Sequence, residues 1–218
     1  MTDQVISMLL EGIVDSVYMI FISTFIGYVI GLPMGIALAV TDKDGIKPSP
    51  LVYKILDVIS NVIRSIPFII LLVLLIPFTR AIVGKSYGPT AMIVPLVVCA
   101  APYIARMVES SLKEVDPGVI EAARSMGATN WHIIFHVLLL EARTSLIVGA
   151  TICCGSILGY TAMAGTVGGG GLGDIAIRYG YHRWDTAIMI ITVVLVIILF
   201  QIIQNVGMLI SRKLDKRK

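Results

Sequence analysis

Five stretches of this chain contain no Asp, Glu, Lys or Arg, and nothing constrains its fold more than they do. They run from Ser16 to Thr41, Ser65 to Thr79, Ser86 to Ala105, Thr144 to Gly173 and Thr186 to Ser211. A helix needs about 20 apolar residues to cross about 30 Å of hydrocarbon, so four of the five suffice as they stand. The second, at 15 residues, rises only about 22 Å at about 1.5 Å per residue. The sequence therefore predicts that this helix begins nearer Val58 and carries Arg64 in its first turns. Composition agrees: 57% of 218 residues are hydrophobic, 14% are charged, and the mean hydropathy is +0.92. Soluble domains carry about 25% charged residues, and disorder requires low hydrophobicity. The expected class is all-α: a polytopic membrane protein with five transmembrane helices in one transmembrane domain, residues 1–218.

The basic residues orient it. Thirteen Lys and Arg fall on one side of the predicted spans: Lys43, Lys47, Lys54, Arg64, Arg106, Lys113, Arg124, Arg143 and the tail from Arg212 to Lys218. Four fall on the other: Arg80, Lys85, Arg178 and Arg183. Positive charge stays in the cytoplasm, which puts the N-terminus outside and the C-terminus inside. The first 15 residues carry Asp3, Glu11 and Asp15 but no Lys or Arg, as expected of an exported end and not of a cleaved signal peptide. A net charge of +3 spread between apolar blocks offers no basic stripe for nucleic acid. Cys99, Cys153 and Cys154 lie in apolar runs without disulfide or zinc spacing and read as small packing residues.

Small residues recur every four positions at Gly27, Gly31 and Gly35, and again at Thr151, Gly155 and Gly159. Each set makes a face on which another helix backbone approaches closely, in the same chain or in a second copy. Pro33, Pro67, Pro77 and Pro95 each remove a backbone hydrogen bond. They mark either static kinks or the bends of a body that rocks.

The longest polar interval, 107–143, is expected to form a cytoplasmic helix-hinge-helix. Asp116 is an N-cap with Pro117 at the first helical position, and Gly127 is placed to take the left-handed stop. Val119, Ala123 and Met126 share a face, Ala128 follows the hinge, and Thr129 caps a second helix. There Trp131, Ile134, Phe135 and Leu138 fall at i, i+3, i+4 and i+7. Periodicity alone leaves two readings open, an interfacial helix on lipid and a helix that docks on a partner.

Glu121-Ala122-Ala123, three residues and Gly127 resemble the EAA loop of bacterial ATP-binding-cassette (ABC) importer membrane subunits. Nine residues beyond its glycine that family has Ile-x-Leu-Pro, where this chain has Leu140 in place of the proline. Arg64 to Phe68, Ile76 to Arg80, Ala101 to Arg106 and Gly168 to Gly173 are similar to the membrane subunit of methionine importers, over about Gly12 to Ser211. The resemblance implies a type I ABC importer fold in a bacterial inner membrane and a homodimer of this subunit. It also implies two ABC ATPase subunits, which bind the ATP and Mg, and an external substrate-binding lipoprotein. No cofactor and no catalysis are expected in this chain. The substrate would be methionine, in L and D forms. Glu121, Ala122, Ala123, Met126, Gly127, Ala128, Trp131, Ile134 and Phe135 would couple to the ATPase. Another amino acid is the nearest alternative, and a partner-independent secondary transporter, channel or intramembrane enzyme the remoter one.

Three motifs fail on context. Gly84-Lys85-Ser86 lacks the earlier glycine of a phosphate-binding loop, since that position is Thr79. Gly168, Gly170 and Gly173 follow no strand and read as a flexible or tightly turned external loop. His132 and His136 have metal-ligand spacing without a third ligand, so no metal is expected. Tyr160 and Met163 share a face near the outer end of span four and are either a gate or packing against span five. Arg64 either binds a substrate carboxylate or snorkels to the interface, and no other span core is expected to hold an ionisable group.

Overall fold

The computed structural model describes residues 3–214, which leaves Lys216, Arg217 and Lys218 of the basic tail outside the described residues. In order, its α-helices are α1 (Asp3–Thr41), α2 (Pro50–Ser65), α3 (Phe68–Leu74), α4 (Ile76–Val83) and α5 (Pro89–Lys113). Then follow α6 (Pro117–Ser125), α7 (Asn130–His132), α8 (Leu139–Glu141), α9 (Arg143–Ala164), α10 (Gly171–Ile175) and α11 (Thr186–Leu214). The chain winds more widely, as π-helix, over Ile133–Leu138 and Ala176–Tyr181. Among the described residues, four helices are long and apolar enough to cross a membrane: α1, α5, α9 with the short turn after it, and α11. The bent pair α2 and α3 makes a fifth if the two together count as one span.

The core lies where α1, α5 and α9 meet, around Met19, Ile20, Met92, Leu96, Ile104, Val108 and Ile157. A Cβ on Gly31 would stand 2.6 Å from the Ala101 carbonyl oxygen and 2.8 Å from the Ile104 Cβ. One on Gly35 would stand 2.6 Å from the Val108 Cβ. The first small-residue face thus lets α1 touch the α5 backbone within one chain. The second face divides: a Cβ on Gly155 would stand 2.7 Å from the Phe200 ring of α11, whereas one on Gly159 would meet nothing within 4 Å.

The second span departs from expectation. Its helix begins at Pro50, well before Val58, and Arg64 lies in its last turn rather than its first. There the chain bends by 101° into α3. Pro67 is the cause, because the residue before a proline is driven out of helical geometry, and Ile66 has φ −84° and ψ 123°. Pro33 and Pro95 stay inside unbroken helices, and Pro77 stands in the first turn of α4, just after the break at Leu75.

Span four also ends earlier than its apolar run. α9 stops at Ala164, and Gly168, Gly170 and Gly171 take φ of +77°, +79° and +76°. This selects the tightly turned reading of the loop. The Gly88 amide donates to the Gly168 carbonyl at 2.9 Å and the Leu172 amide to the Ser16 hydroxyl at 2.9 Å, tying the loop after α9 to α1 and to the start of α5.

Candidate functional site

The loop 107–143 folds as its caps dictate. The Gly118 amide donates to the Asp116 carboxylate at 2.7 Å and the His132 amide to the Thr129 hydroxyl at 3.3 Å. Between these helices Gly127 has φ +80°, a left-handed conformation with no neighbour within 4 Å of a Cβ placed there. The Met126 and Gly127 amides close the helix end on the Ala122 and Arg124 carbonyls.

The faces differ from the periodic reading. Glu121, Ala122, Met126, Gly127, Trp131 and Phe135 are exposed, Met126 at 82% and Trp131 at 71%. Ala128 is half-buried, while Ala123 and Ile134 turn into the core, Ile134 at 8%. The wider winding from Ile133 explains the split: Ile133, Ile134 and Leu138 pack inward, leaving Trp131 and Phe135 stacked outside with centroids 5.6 Å apart. The four residues predicted to share one face are thus two pairs on two faces, and Val119 and Met126 likewise lie opposite Ala123. Leu140 takes the place of the family's proline, yet the helix still breaks before span four, at Ala142.

Just above the loop lies an ion network that the sequence reading missed. Glu109, buried, accepts hydrogen bonds from the Tyr53 hydroxyl at 3.2 Å, from Arg106 Nη1 at 2.7 Å and from Lys113 Nζ at 2.7 Å. Arg106 Nη2 also pairs with Asp57 and donates to Asn61 Oδ1 at 3.1 Å. Lys113 reaches Asp42 at 2.7 Å, and its ammonium holds the Asp42 carboxyl below the usual carboxylate range. The network fastens α2 and the end of α1 to α5. Arg124 of α6 adds a hydrogen bond to the Ile46 carbonyl at 3.0 Å. A signal existed: Tyr53, Asp57 and Asn61 share one helix face and Arg106, Glu109 and Lys113 another. It was hidden because α5 extends eight residues past Ala105, where the charge-free run stops.

Farther along, Tyr160 stacks on Phe68 with centroids 4.8 Å apart, and its hydroxyl lies beside the Cys99 thiol near the middle of α5. Met163 is 48% exposed, on the side of α9 that also presents Gly159. Phe68 was not foreseen as the partner of Tyr160, since the bend at Pro67 is what brings it there.

The rejected motifs have structural explanations. Gly84 is the left-handed end of α4 with φ +80°, and Lys85 lies over the Tyr87 ring at 5.8 Å. His132 and His136 stack with centroids 4.5 Å apart. Among the described residues no group of three or more His, Cys, Asp or Glu is placed to hold a metal ion. The three cysteines are free thiols, Cys153 buried and the others half-buried.

The bundle of apolar helices carries an exposed helix pair outside its spans, and comparison with known proteins gives its family. The chain belongs to the inner membrane components of binding-protein-dependent transport systems, whose family model matches residues 31–217. Among its relatives is the probable D-methionine transport system permease protein MetI of Vibrio cholerae serotype O1, 47% identical over 210 residues, which cover 96% of this chain and 93% of that protein. The D-methionine transport system permease protein MetI of Escherichia coli K12 is 50% identical over 165 residues, 76% of each chain. A solved structure of the MetNI methionine ABC transporter in inward-facing conformations superposes with a TM-score of 0.97 at 47% identity, covering 99% of this chain and 100% of that one. An amino acid ABC transporter crystallised with histidines shares the fold at a TM-score of 0.78 and 20% identity, over 95% and 94% of the two chains. The architecture is that of a type I ABC importer membrane subunit.

Proposed function

We propose that this chain forms the translocation pathway of a methionine importer, accepting L and D forms, in a bacterial inner membrane. Two copies of the chain would enclose the path and two ABC ATPase subunits, holding ATP and Mg, would drive it. An external lipoprotein would deliver substrate. The N-terminus would lie outside and the C-terminus in the cytoplasm, so that the loop 107–143 faces the motor subunits. The observation that carries the reading is the exposed surface of that loop, Glu121, Met126, Trp131 and Phe135, set at a fixed angle by Gly127. So large an apolar display outside the spans calls for a partner. The 47% identity to MetI of Vibrio cholerae over nearly the whole length supports methionine as the substrate.

Transport would proceed by alternating access. ATP-driven closure of the motors moves the docked helices from Pro117 to Leu138, and the ion network makes α2 and α5 follow together. Ala123 and Ile134 would seat the loop on the bundle, while the exposed residues engage the ATPase. Tyr160 and Met163 would close the outer end. A flexible apolar side chain there bars water without trapping an apolar amino acid.

The test is ATP-driven uptake of labelled L- and D-methionine in proteoliposomes holding the chain, its ATPase and its lipoprotein, with other amino acids as competitors. Uptake of another amino acid and none of methionine would assign a different substrate. Uptake without ATPase would sink the importer reading altogether.

A further inference from the structure

Along α2, Asp57, Asn61, Arg64 and Ser65 fall at i, i+4, i+7 and i+8, with exposed Lys54 three residues before Asp57, whereas Leu51, Val52, Ile55, Val58, Ile59 and Val62 are exposed and apolar. Arg106 takes Asp57 and Asn61 into the ion network. Arg64 is exposed and forms no ion pair or hydrogen bond through its side chain with any described residue.

Two contacts fix its depth. At the cytoplasmic end Asp57 is level with Arg106, two turns inside the end of α5 at Lys113. Beyond Arg64 the chain bends, and Phe68 lies against Tyr160 beside Cys99, near the middle of α5. Arg64 sits between, about 10 Å farther along α2 than Asp57. Its side chain therefore starts within the inner half of the apolar stretch Ser86 to Ala105.

A cation at that depth faces water, a protein partner or a ligand, because lipid penalises it heavily. A polar stripe that continues from the ion network to the Phe68 and Tyr160 contact suits a watered inner vestibule. A guanidinium is also the group best matched to a carboxylate, through two parallel hydrogen bonds. We propose that Arg64 is a carboxylate-binding residue of the translocation pathway, receiving the amino acid's α-carboxylate just inside the Phe68 and Tyr160 contact. This rests on the reading of the chain as an amino-acid importer. The competing structural role is a cation in the last turn of α2 that complements the helix dipole and reaches toward the interface.

The experiment uses the full complex with its ATPase and lipoprotein in proteoliposomes, and compares Arg64→Gln and Arg64→Lys. Loss of a charged hydrogen-bonding partner should lower methionine uptake per complex about tenfold in Arg64→Gln, at unchanged lipoprotein affinity and ATP hydrolysis, with partial recovery in Arg64→Lys. In a background with Cys99, Cys153 and Cys154 replaced, a Ser65→Cys thiol should react with a sulfonate-bearing thiol reagent from the cytoplasmic side. Methionine should slow that reaction when Arg64 is present and not in Arg64→Gln. Parental uptake per complex in Arg64→Gln overturns the proposal, as does a Ser65→Cys thiol that is unreactive or not protected by methionine. If the parental complex itself fails to take up methionine, the substrate reading fails instead, and the same comparison is made with the amino acid it does transport.

Discussion

Replacing Gly127 by valine isolates one physical cause. The residue has φ +80°, and a Cβ built on it meets nothing within 4 Å, so the substitution creates no clash and acts through the backbone alone. A left-handed conformation costs a residue with a Cβ about 1–2 kcal/mol, and a β-branched side chain lies at the upper end. The loop relieves that strain by turning Gly127 back to negative φ, which swings Trp131 and Phe135 away from Glu121 and Met126. Since about 1.4 kcal/mol is tenfold in population, the docking-competent fraction should fall about 5- to 30-fold, and the apparent affinity for the ATPase by the same factor. Asparagine tolerates positive φ, so Gly127→Asn should cost little, with Gly127→Ala in between. The assay is titration of the ATPase against this subunit in lipid nanodiscs, with ATP-driven uptake and membrane abundance measured alongside. Abundance should stay near parental, because the spans do not depend on this turn, while uptake in the valine variant falls with the docked fraction. A valine variant that binds and transports like the parent, or an asparagine variant as impaired as valine, would refute the reasoning.

Other expectations follow from charge, exposure and burial. Single cysteines at Ser49 and Thr186 in a Cys-free chain should be labelled from outside intact cells at 186 and not at 49; the reverse pattern would invert the topology. Met163→Ala should raise the leak of small solutes in reconstituted vesicles, and an unchanged leak at normal expression would count against a gate there. Arg106→Gln leaves Asp57 and buried Glu109 without their shared cation, a loss of up to about 3–5 kcal/mol for a fully buried pair and less here, where Arg106 is partly exposed. It should therefore lower the thermal midpoint of the detergent-solubilised complex more than Asp57→Asn does, and equal midpoints would show that the network does not hold α2 to α5.

What the chain declares in its sequence follows from which interactions are local. Long charge-free runs define spans because the bilayer demands them residue by residue, and the loop between α5 and α9 was legible because Asp116, Thr129 and Gly127 each act on their nearest backbone groups. The placement of Ile134 was not legible, because a single wide turn from Ile133 to Leu138 rotates one set of side chains away from another, and no residue type signals it. Pro67 marks a break in the sequence, but the size of the bend depends on what α3 packs against. The ion network needed two helices in register, and the stack of Phe68 on Tyr160 joins residues about ninety positions apart. Those are tertiary facts, which periodicity does not contain.

The close approach of α1 to α5 has a consequence for how the subunit is made. α1 leaves the ribosome first, while the helix that fills its glycine face ends only at Lys113, after the whole of the bent second span. An inserted helix satisfies its own backbone and can wait in lipid, and chains grow at only about 5–20 residues per second. For several seconds, then, Gly27, Gly31 and Gly35 present an open surface that any helix rich in small residues can occupy. A nascent chain is most open to the wrong partner when its second span is complete and its third is not, so biogenesis, more than the finished fold, is where changes to that face should first be felt.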